Sequence, residues 1–193
     1  MFYSPRKKLA VFRAALWGAT QCGKTETLKG LISQLPREVT RGNWLDYADI
    51  PERDTELLLE YVPVRLGHIK EADVMLELFA PHADQAGLEV WLKLVSGADG
   101  IIIVVDSRTS RLARNLASLR RLRQLLVTAN RSLERMPSVC QFNKRDAPDA
   151  LPFEVLERAI DLRTAPGVGT VATRQMGLVD VVQVLSKLLV RTL

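Results

Sequence analysis

The sequence is poor in the features that mark secreted and membrane proteins. Its 193 residues include only two cysteines, Cys22 and Cys140, which is too few for a disulfide framework and favours a reducing cytoplasm. No apolar stretch reaches the ~18 residues that a membrane-spanning helix needs, so no membrane span is expected. Internal repeats and low-complexity segments are also missing. These absences leave an ordinary globular protein of cytoplasmic type.

Strong charge of either sign is missing as well. The 27 Lys and Arg residues outnumber the 22 Asp and Glu residues, which gives a modest formal net charge of +5. Because the arginines are spread over several segments and form no basic tail, no nucleic-acid partner is expected. Aromatic residues make up only 6% of the chain, but the 47% hydrophobic fraction is typical of a globular protein. The length suits a single domain over residues 1–193.

What the sequence does contain is a phosphate-binding motif. Residues 18–25 (GATQCGKT) match Gly-x-x-x-x-Gly-Lys-Thr at every fixed position. The motif lies between an apolar segment that predicts a buried strand, Leu9 to Trp17, and a segment with helical apolar spacing, Thr25 to Leu35. In that context Lys24 would place its charge on the outer phosphates, and the hydroxyl of Thr25 would bind Mg²⁺. The predicted phosphate site comprises Gly18, Cys22, Gly23, Lys24, Thr25 and Glu26.

The rest of the chain alternates apolar strand patterns with helical ones. The predicted strands cover Glu56 to Leu66, Ala72 to Phe79, Gly100 to Val105, Pro137 to Phe142 and Val168 to Ala172, and Gly67-His68 begins the turn between the first two. The predicted helices pass through Trp91 and Leu94, start at Asp106 to Thr109, and cover Pro152 to Ile160 and Gly177 to Leu189. This order implies a three-layer α/β domain whose mostly parallel sheet has one antiparallel edge strand.

A second motif, Asn143-Lys144-Arg145-Asp146, follows one of the predicted strands. A phosphate loop followed downstream by Asn-Lys-x-Asp resembles the Ras-like small GTPases, and the resemblance implies a P-loop fold that binds GTP or GDP with Mg²⁺. By that resemblance Asp146 selects guanine, Lys144 covers the base and Asn143 ties the segment to the phosphate loop. Val171-Ala172-Thr173 lies where the family has Ser-Ala-Lys, which implies base contacts at Ala172 and Thr173.

Further segments are similar to the bacterial MglA polarity and gliding-motility GTPases. They are Asp106-Ser107, the run from Pro148 to Pro152, and the strand from Leu57 to Gly67 with its internal Pro63. The similarity is poorest between Pro36 and Thr55. It implies a cytoplasmic nucleotide switch that acts through polarity and motility effectors and has a roadblock-fold homodimer as its activator.

The exit of the third predicted strand departs from the family pattern Asp-x-x-Gly-Gln. The aligned residues are Ala80-Pro81-His82-Ala83-Asp84, with Gln85 next. The candidate catalytic residues are therefore Asp84, His82 and Gln85, together with Arg53 as an arginine supplied in cis. This erosion leaves two hypotheses open, a switch with slow or partner-dependent hydrolysis and a catalytically silent scaffold. A P-loop ATPase or kinase is disfavoured by Asn143 to Asp146.

Four features of the sequence allow two interpretations each. The Mg²⁺-binding threonine of the first long loop is either Thr40 or Thr55. Asp106 is interpreted as a helix cap rather than an ATPase-type Mg²⁺ ligand. Trp44 and Trp91 are expected by default to pack against neighbouring structure, with partner contact as the alternative. A solvated basic face is favoured over a docking surface for an acidic partner on the helix after Asp106, whose arginines are Arg111, Arg114, Arg120, Arg121 and Arg123.

We expect the isolated protein to hydrolyse GTP more slowly than a relative with an intact Gly-Gln pair. Ala83 adds a methyl group where the backbone must approach the γ-phosphate, and Asp84 replaces an amide with an acceptor-only anion. Since intrinsic hydrolysis in Ras is only roughly 10⁻⁴ s⁻¹, little activity should remain. Single-turnover hydrolysis of radiolabelled GTP with Mg²⁺ measures the rate. Turnover of tens per minute without a partner would contradict this expectation and would direct mutagenesis to His82.

Overall fold

The computed structural model describes residues 1–4, 8–36, 59–69, 71–81, 87–162 and 164–192. In these ranges the strands are β1 (Phe2–Ser4), β2 (Leu9–Trp17), β3 (Leu59–Ile69), β4 (Ala72–Pro81), β5 (Gly100–Asp106), β6 (Ser138–Asn143) and β7 (Gly167–Gly169). The α-helices are α1 (Lys24–Gln34), α2 (Leu88–Gly97), α3 (Leu112–Thr128), α4 (Phe153–Ile160) and α5 (Leu178–Val190). Short 3₁₀ turns lie at Thr109–Arg111, Leu133–Arg135 and Ala172–Arg174.

The described strands form one sheet in the order β3-β4-β2-β5-β6-β7. Neighbouring strands in the series β4, β2, β5, β6 and β7 pair in parallel. The outermost strand β3 pairs antiparallel to β4. The predicted α/β fold with a mostly parallel sheet and an antiparallel edge strand is therefore confirmed. The short β1, which no pattern predicted, adds a second antiparallel pair with β2. Because β2, β5, β6 and β7 run in the same direction, the loops that follow them meet at the edge formed by the carboxyl ends of these strands.

Helices cover both faces of the sheet and produce two hydrophobic clusters. One cluster contains side chains of α1 and α5, and the other contains side chains of α2, α3 and α4. The central strand β5 is buried at every residue: Ile102 and Val104 belong to the first cluster, and Ile101, Ile103 and Val105 belong to the second. A continuous apolar run is typical of a strand covered on both faces. The architecture is thus helix, sheet, helix in three layers.

One local prediction about the strands was wrong. Gly67-His68 is no turn, since β3 continues to Ile69 with a register shift between Arg65 and Gly67. Such a bulge interrupts the alternation of side chains and looks like a strand end in the sequence. Trp91 packs against neighbouring structure, as expected by default: its side chain is 4% exposed and its ring lies 4.5 Å from that of Trp17. Trp44 lies outside the described residues.

No helix in the described ranges is both long enough and apolar enough to cross a membrane.

We expect Gly177→Ala to destabilise the fold. Gly177 precedes α5 with φ +73°, and a Cβ atom there would lie 2.4 Å from the carbonyl oxygen of Gly169. Left-handed strain and overpacking should together lower the free energy of unfolding by about 2–3 kcal/mol. Urea unfolding measures the change. The control is Gly97→Ala in the last turn of α2, where no atom lies within 4 Å of the new Cβ. Equal effects at both glycines would contradict the steric explanation.

Candidate functional site

The loops that follow four parallel strands meet at one edge of the sheet. The phosphate-loop motif of residues 18–25 follows β2, and Asp106 ends β5. Asn143 ends β6 and pairs in register with Asp106, while Thr170 directly follows β7. Both sequence motifs therefore lie on the edge where α/β folds of this kind bind ligands.

The phosphate loop has two residues in the left-handed region. Gln21 has φ 64° and Gly23 has φ 110°, and the Cys22 amide donates to the carbonyl of Ala19 at 3.2 Å. A Cβ atom on Gly23 would lie 2.1 Å from Nδ2 of Asn143. Position 23 therefore requires glycine for two reasons, backbone conformation and close approach of a side chain.

Lys24 is folded against the inside of this loop and is only 6% exposed. Its Nζ donates to the carbonyls of Gly18 and Ala19 at 3.1 and 3.2 Å. It also lies 3.8 Å from Sγ of Cys22, whose thiol pKa is raised mainly by burial. A buried ammonium group ringed by backbone atoms at the start of α1 fits an anionic ligand such as a phosphate.

The two other predicted residues of the first helical turn differ in exposure. Thr25 is half-buried beside Lys24, in a position that suits a hydroxyl ligand of Mg²⁺. Glu26 is exposed, and its carboxylate lies 3.7 Å from the ammonium of Lys29 one turn later. In the described ranges, no cluster of three or more His, Cys, Asp or Glu could hold a metal ion.

The side chain of Asn143 joins three loops and is 2% exposed. Its Nδ2 donates to the carbonyl of Cys22 at 2.9 Å. Its Oδ1 accepts from the hydroxyl of Thr170 at 3.2 Å and from the amide of Ala172 at 3.0 Å. The family resemblance implies that the amide of Ala172 donates to the guanine O6. In this structure the same amide donates to Oδ1 of Asn143. The phosphate loop and the predicted base-binding segments are thus bonded to one another directly.

Lys144 and Asp106 form a second link across the site. Lys144 has φ 62°, and its Nζ donates to the carbonyl of Gln21 at 2.6 Å and to Oδ2 of Asp106 at 2.8 Å. Asp106 also accepts two hydrogen bonds from the Arg108 guanidinium at 2.7 and 3.0 Å. Nε of Arg111 lies 4.0 Å from the same carboxylate. One carboxylate that is 2% exposed therefore faces three cations.

The helix-cap interpretation of Asp106 was wrong. The helical turn begins at Thr109 after Arg108, and neither it nor α3 has a side-chain cap. Burial would raise the pKa of Asp106, but hydrogen bonds from Arg108 and Lys144 outweigh burial and hold this pKa below its ordinary value. Asp106 is therefore a charged residue that organises its neighbours.

The predicted base-contact residues lie at the entrance of the site. The Asp146 side chain is 31% exposed, and its carboxylate lies 3.6 Å from Nη2 of Arg174. Ala172 is buried and Thr173 is exposed. This arrangement leaves a carboxylate accessible beside the loop that carries Lys144, where a base could reach it.

A buried polar contact that no motif predicted supports the site from below. Nε2 of Gln141 donates to the hydroxyls of Thr27 and Thr170 at 2.7 and 3.1 Å, and Gln141 is fully buried. The contact connects the first turns of α1 to β6 and to the segment after β7. The available signal was the polar residue Gln141 between the apolar residues Cys140 and Phe142 in the middle of the strand.

The predicted catalytic residues Arg53, His82, Asp84 and Gln85 lie outside the described residues, as do the alternatives Thr40 and Thr55.

Comparison with known proteins gives one informative similarity. The chain is 30% identical over 178 residues to the mutual gliding-motility protein MglA of Myxococcus xanthus (strain DK1622). The alignment covers 92% of this chain and 89% of that protein. No protein-family model matches the chain.

We expect Asp106→Asn to destabilise the protein at neutral pH. The substitution leaves three cations without their carboxylate, at a cost of roughly 2–3 kcal/mol, because the cations still reach water. Because the pKa of Asp106 is lowered in the folded protein, its charge contributes fully to stability at any pH above the ordinary pKa of an aspartate. This stabilisation is lost as the pH falls through the lowered pKa of the folded protein. Denaturant unfolding of both proteins from pH 7 to pH 3 should show the difference shrinking. A pH-independent difference, or an equal loss in the exposed control Asp180→Asn, would contradict this account.

Proposed function

The chain belongs to the MglA-type, Ras-like small GTPases, and we propose that it is a guanine-nucleotide-dependent molecular switch in gliding motility or cell polarity. Its relative from Myxococcus xanthus is named for gliding motility, which supplies the process in this proposal. The switch binds GTP or GDP with Mg²⁺ and signals in the cytoplasm through protein partners.

The observation that supports nucleotide binding best is the bond between Asn143 and the phosphate loop. A phosphate-binding and a base-binding segment serve one nucleotide only when their separation is fixed. Nδ2 of Asn143 holds the carbonyl of Cys22 at 2.9 Å, and Nζ of Lys144 holds the carbonyl of Gln21 at 2.6 Å. Asn143 at the end of β6 and the adjacent Lys144 thus bond to two adjacent residues of the loop, and the two halves are preorganised.

The phosphate half is assigned to residues 18–25. Backbone amides around Gly23 and the N-terminus of α1 would bind the phosphates, and the ammonium of Lys24, which donates to two loop carbonyls here, would donate to phosphate oxygens. Thr25 would hold Mg²⁺ through its hydroxyl. The ion would supply positive charge that offsets the charge of the phosphates. Cys22 contributes its backbone to this half of the site.

The base half is assigned to Asp146, Lys144 and Ala172. The carboxylate of Asp146 accepts from the N1–H and the 2-amino group of guanine, a donor pair that adenine lacks. Lys144 covers the base with its aliphatic stem while Asp106 holds its ammonium group. The loop of Ala172 and Thr173 closes the remaining edge of the base.

Hydrolysis by this switch is proposed to be slow and dependent on a partner. The strand β4 ends at Pro81, and the sequence after it has Ala83 and Asp84 where Ras-like proteins have Gly and Gln. A roadblock-fold homodimer is the proposed activator, and His82, Gln85 or Arg53 are the residues that it would position. The same two substitutions favour a second candidate, a nucleotide-binding scaffold without hydrolysis, and GTP turnover with a roadblock-type activator separates the two.

Base selectivity provides the direct test of the proposal. Asp146→Asn should weaken GTP binding at least about 100-fold and improve binding of xanthosine triphosphate, because xanthine has an oxygen where guanine has its amino group. Titration with fluorescent nucleotide analogues measures both affinities, and chromatography of nucleotide released from the purified parent identifies the natural ligand.

The matched control is Asp149→Asn, an exposed carboxylate in the same loop. It should keep the preference of the parent for GTP. Equal affinity of the parent for ATP and GTP would overturn the guanine assignment, and a parent that binds neither would overturn the nucleotide switch.

A further inference from the structure

A surface groove of about 410 Å³ lies beside the phosphate loop on its α3 side. The residues 18–20 line one wall, and Arg114, Ala117 and Arg121 of α3 line the other. Trp17 and Trp91, stacked edge to face, contribute apolar surface between the walls. The groove therefore has a small apolar floor, a basic wall and direct contact with the predicted phosphate site.

The structure divides the arginines of the basic helix face into two sets. Arg111 hydrogen-bonds to Gln21 beside Asp106, and Arg123 lies 3.6 Å from Glu134. Arg114, Arg120 and Arg121 form no ion pair with any residue that the structure describes, and all three are exposed. The helix α3 contains four arginines and no acidic residue, so its outer face is positively charged.

The spacing along α3 indicates what shape of partner fits this face. The exposed residues Arg114, Ala117, Arg121, Gln124 and Thr128 follow one another at intervals of three and four, which places them on one stripe of the helix. Arg114 and Arg121 are seven residues apart, or about 10.5 Å along the axis. The small Ala117 between them permits the close approach of a second helix.

We propose that this stripe and groove bind an acidic amphipathic helix of a partner protein. Carboxylates seven residues apart on the partner pair with Arg114 and Arg121, and an apolar side chain between them packs over Ala117 toward Trp91. The apolar floor and the helical spacing favour a protein helix over nucleic acid, which presents a continuous row of phosphates. This inference rests on the proposed function in one respect, that a switch acts through protein partners.

Docking at this surface would be sensed at the nucleotide site because both share residues. The backbone of Gly18 and Ala19 lines the groove and also accepts the hydrogen bonds of Lys24. Trp91, on the opposite side, belongs to the first turn of α2. A helix bound in the groove therefore contacts the phosphate loop from behind, away from Asn143 and Asp146.

The test uses a fluorescent helical peptide of about 20 residues, long enough to hold helix in water. Its sequence carries Glu at two positions seven apart and Leu between them, and a matched peptide carries Gln instead. We expect the full chain to bind the Glu peptide at low salt and to bind the Gln peptide at least about tenfold more weakly. Fluorescence anisotropy measures both affinities.

Two double variants test the location. Arg114→Gln with Arg121→Gln should weaken the Glu peptide about tenfold, since each exposed charge pair contributes modestly. Arg120→Gln with Arg135→Gln removes the same charge from exposed positions outside the groove and should change the affinity less than about twofold. Equal weakening by both variants, or no binding of the Glu peptide by the parent, would overturn the proposal.

Nucleotide binding and competing ligands are measured on the same preparations. If the parent binds nucleotide but not the Glu peptide, the groove proposal is wrong and the proposed function stands. If the parent binds no nucleotide, the proposed function is wrong. Duplex DNA and vesicles containing phosphatidylserine are the alternative ligands. If either binds the parent and is released by the Arg114 and Arg121 substitutions while the Glu peptide does not bind, the surface serves that ligand and the partner-helix proposal is wrong.

Discussion

The buried carboxamide of Asn143 is the constraint on which the rest of the site depends. It satisfies a carbonyl of the phosphate loop and also accepts from Thr170 and Ala172, so three loops that are remote in the sequence share one side chain. The carboxamide needs space, and only a glycine at position 23 provides it. An unsatisfied buried polar group costs about 1–3 kcal/mol. Separating the loops would leave the Asn143 carboxamide and its partners without hydrogen bonds, and this cost holds the loops together.

The buried carboxylate of Asp106 provides a second set of contacts between the loops. The carboxylate of Asp106 at the end of β5 would be costly to bury alone, but Arg108 and Lys144 bond to it and offset that cost. The same contact holds Lys144 in its left-handed conformation over the phosphate loop. Arg111 lies 4.0 Å from the Asp106 carboxylate, whereas Arg114 and Arg121 are exposed and line the groove that we propose as a docking surface.

Most elements of the fold followed from local patterns. The strand β2 was predicted with its observed bounds because most of its residues are apolar. The strand β5 needed only one more residue, because a continuous apolar run specifies burial on both faces. The strand β1 was missed because its three residues, Phe2–Ser4, are too few for any periodicity. The end of β3 was misplaced because the bulge at Gly67 breaks the alternation without ending the pairing with β4.

By itself, the sequence determined the chemistry of each motif. Eight consecutive residues encode a loop that can cradle an anion, because the motif depends on local backbone and nearby side chains. A base-binding turn at Asn143 to Asp146 is predicted by the resemblance to Ras-like GTPases. Only the tertiary structure decided which charges meet. Lys144 and Asp106 are 38 residues apart and Gln141 and Thr27 are 114 apart, so no window of sequence contains either pair. Their contacts arise from strand order, which is set by the packing of the whole sheet between its helices.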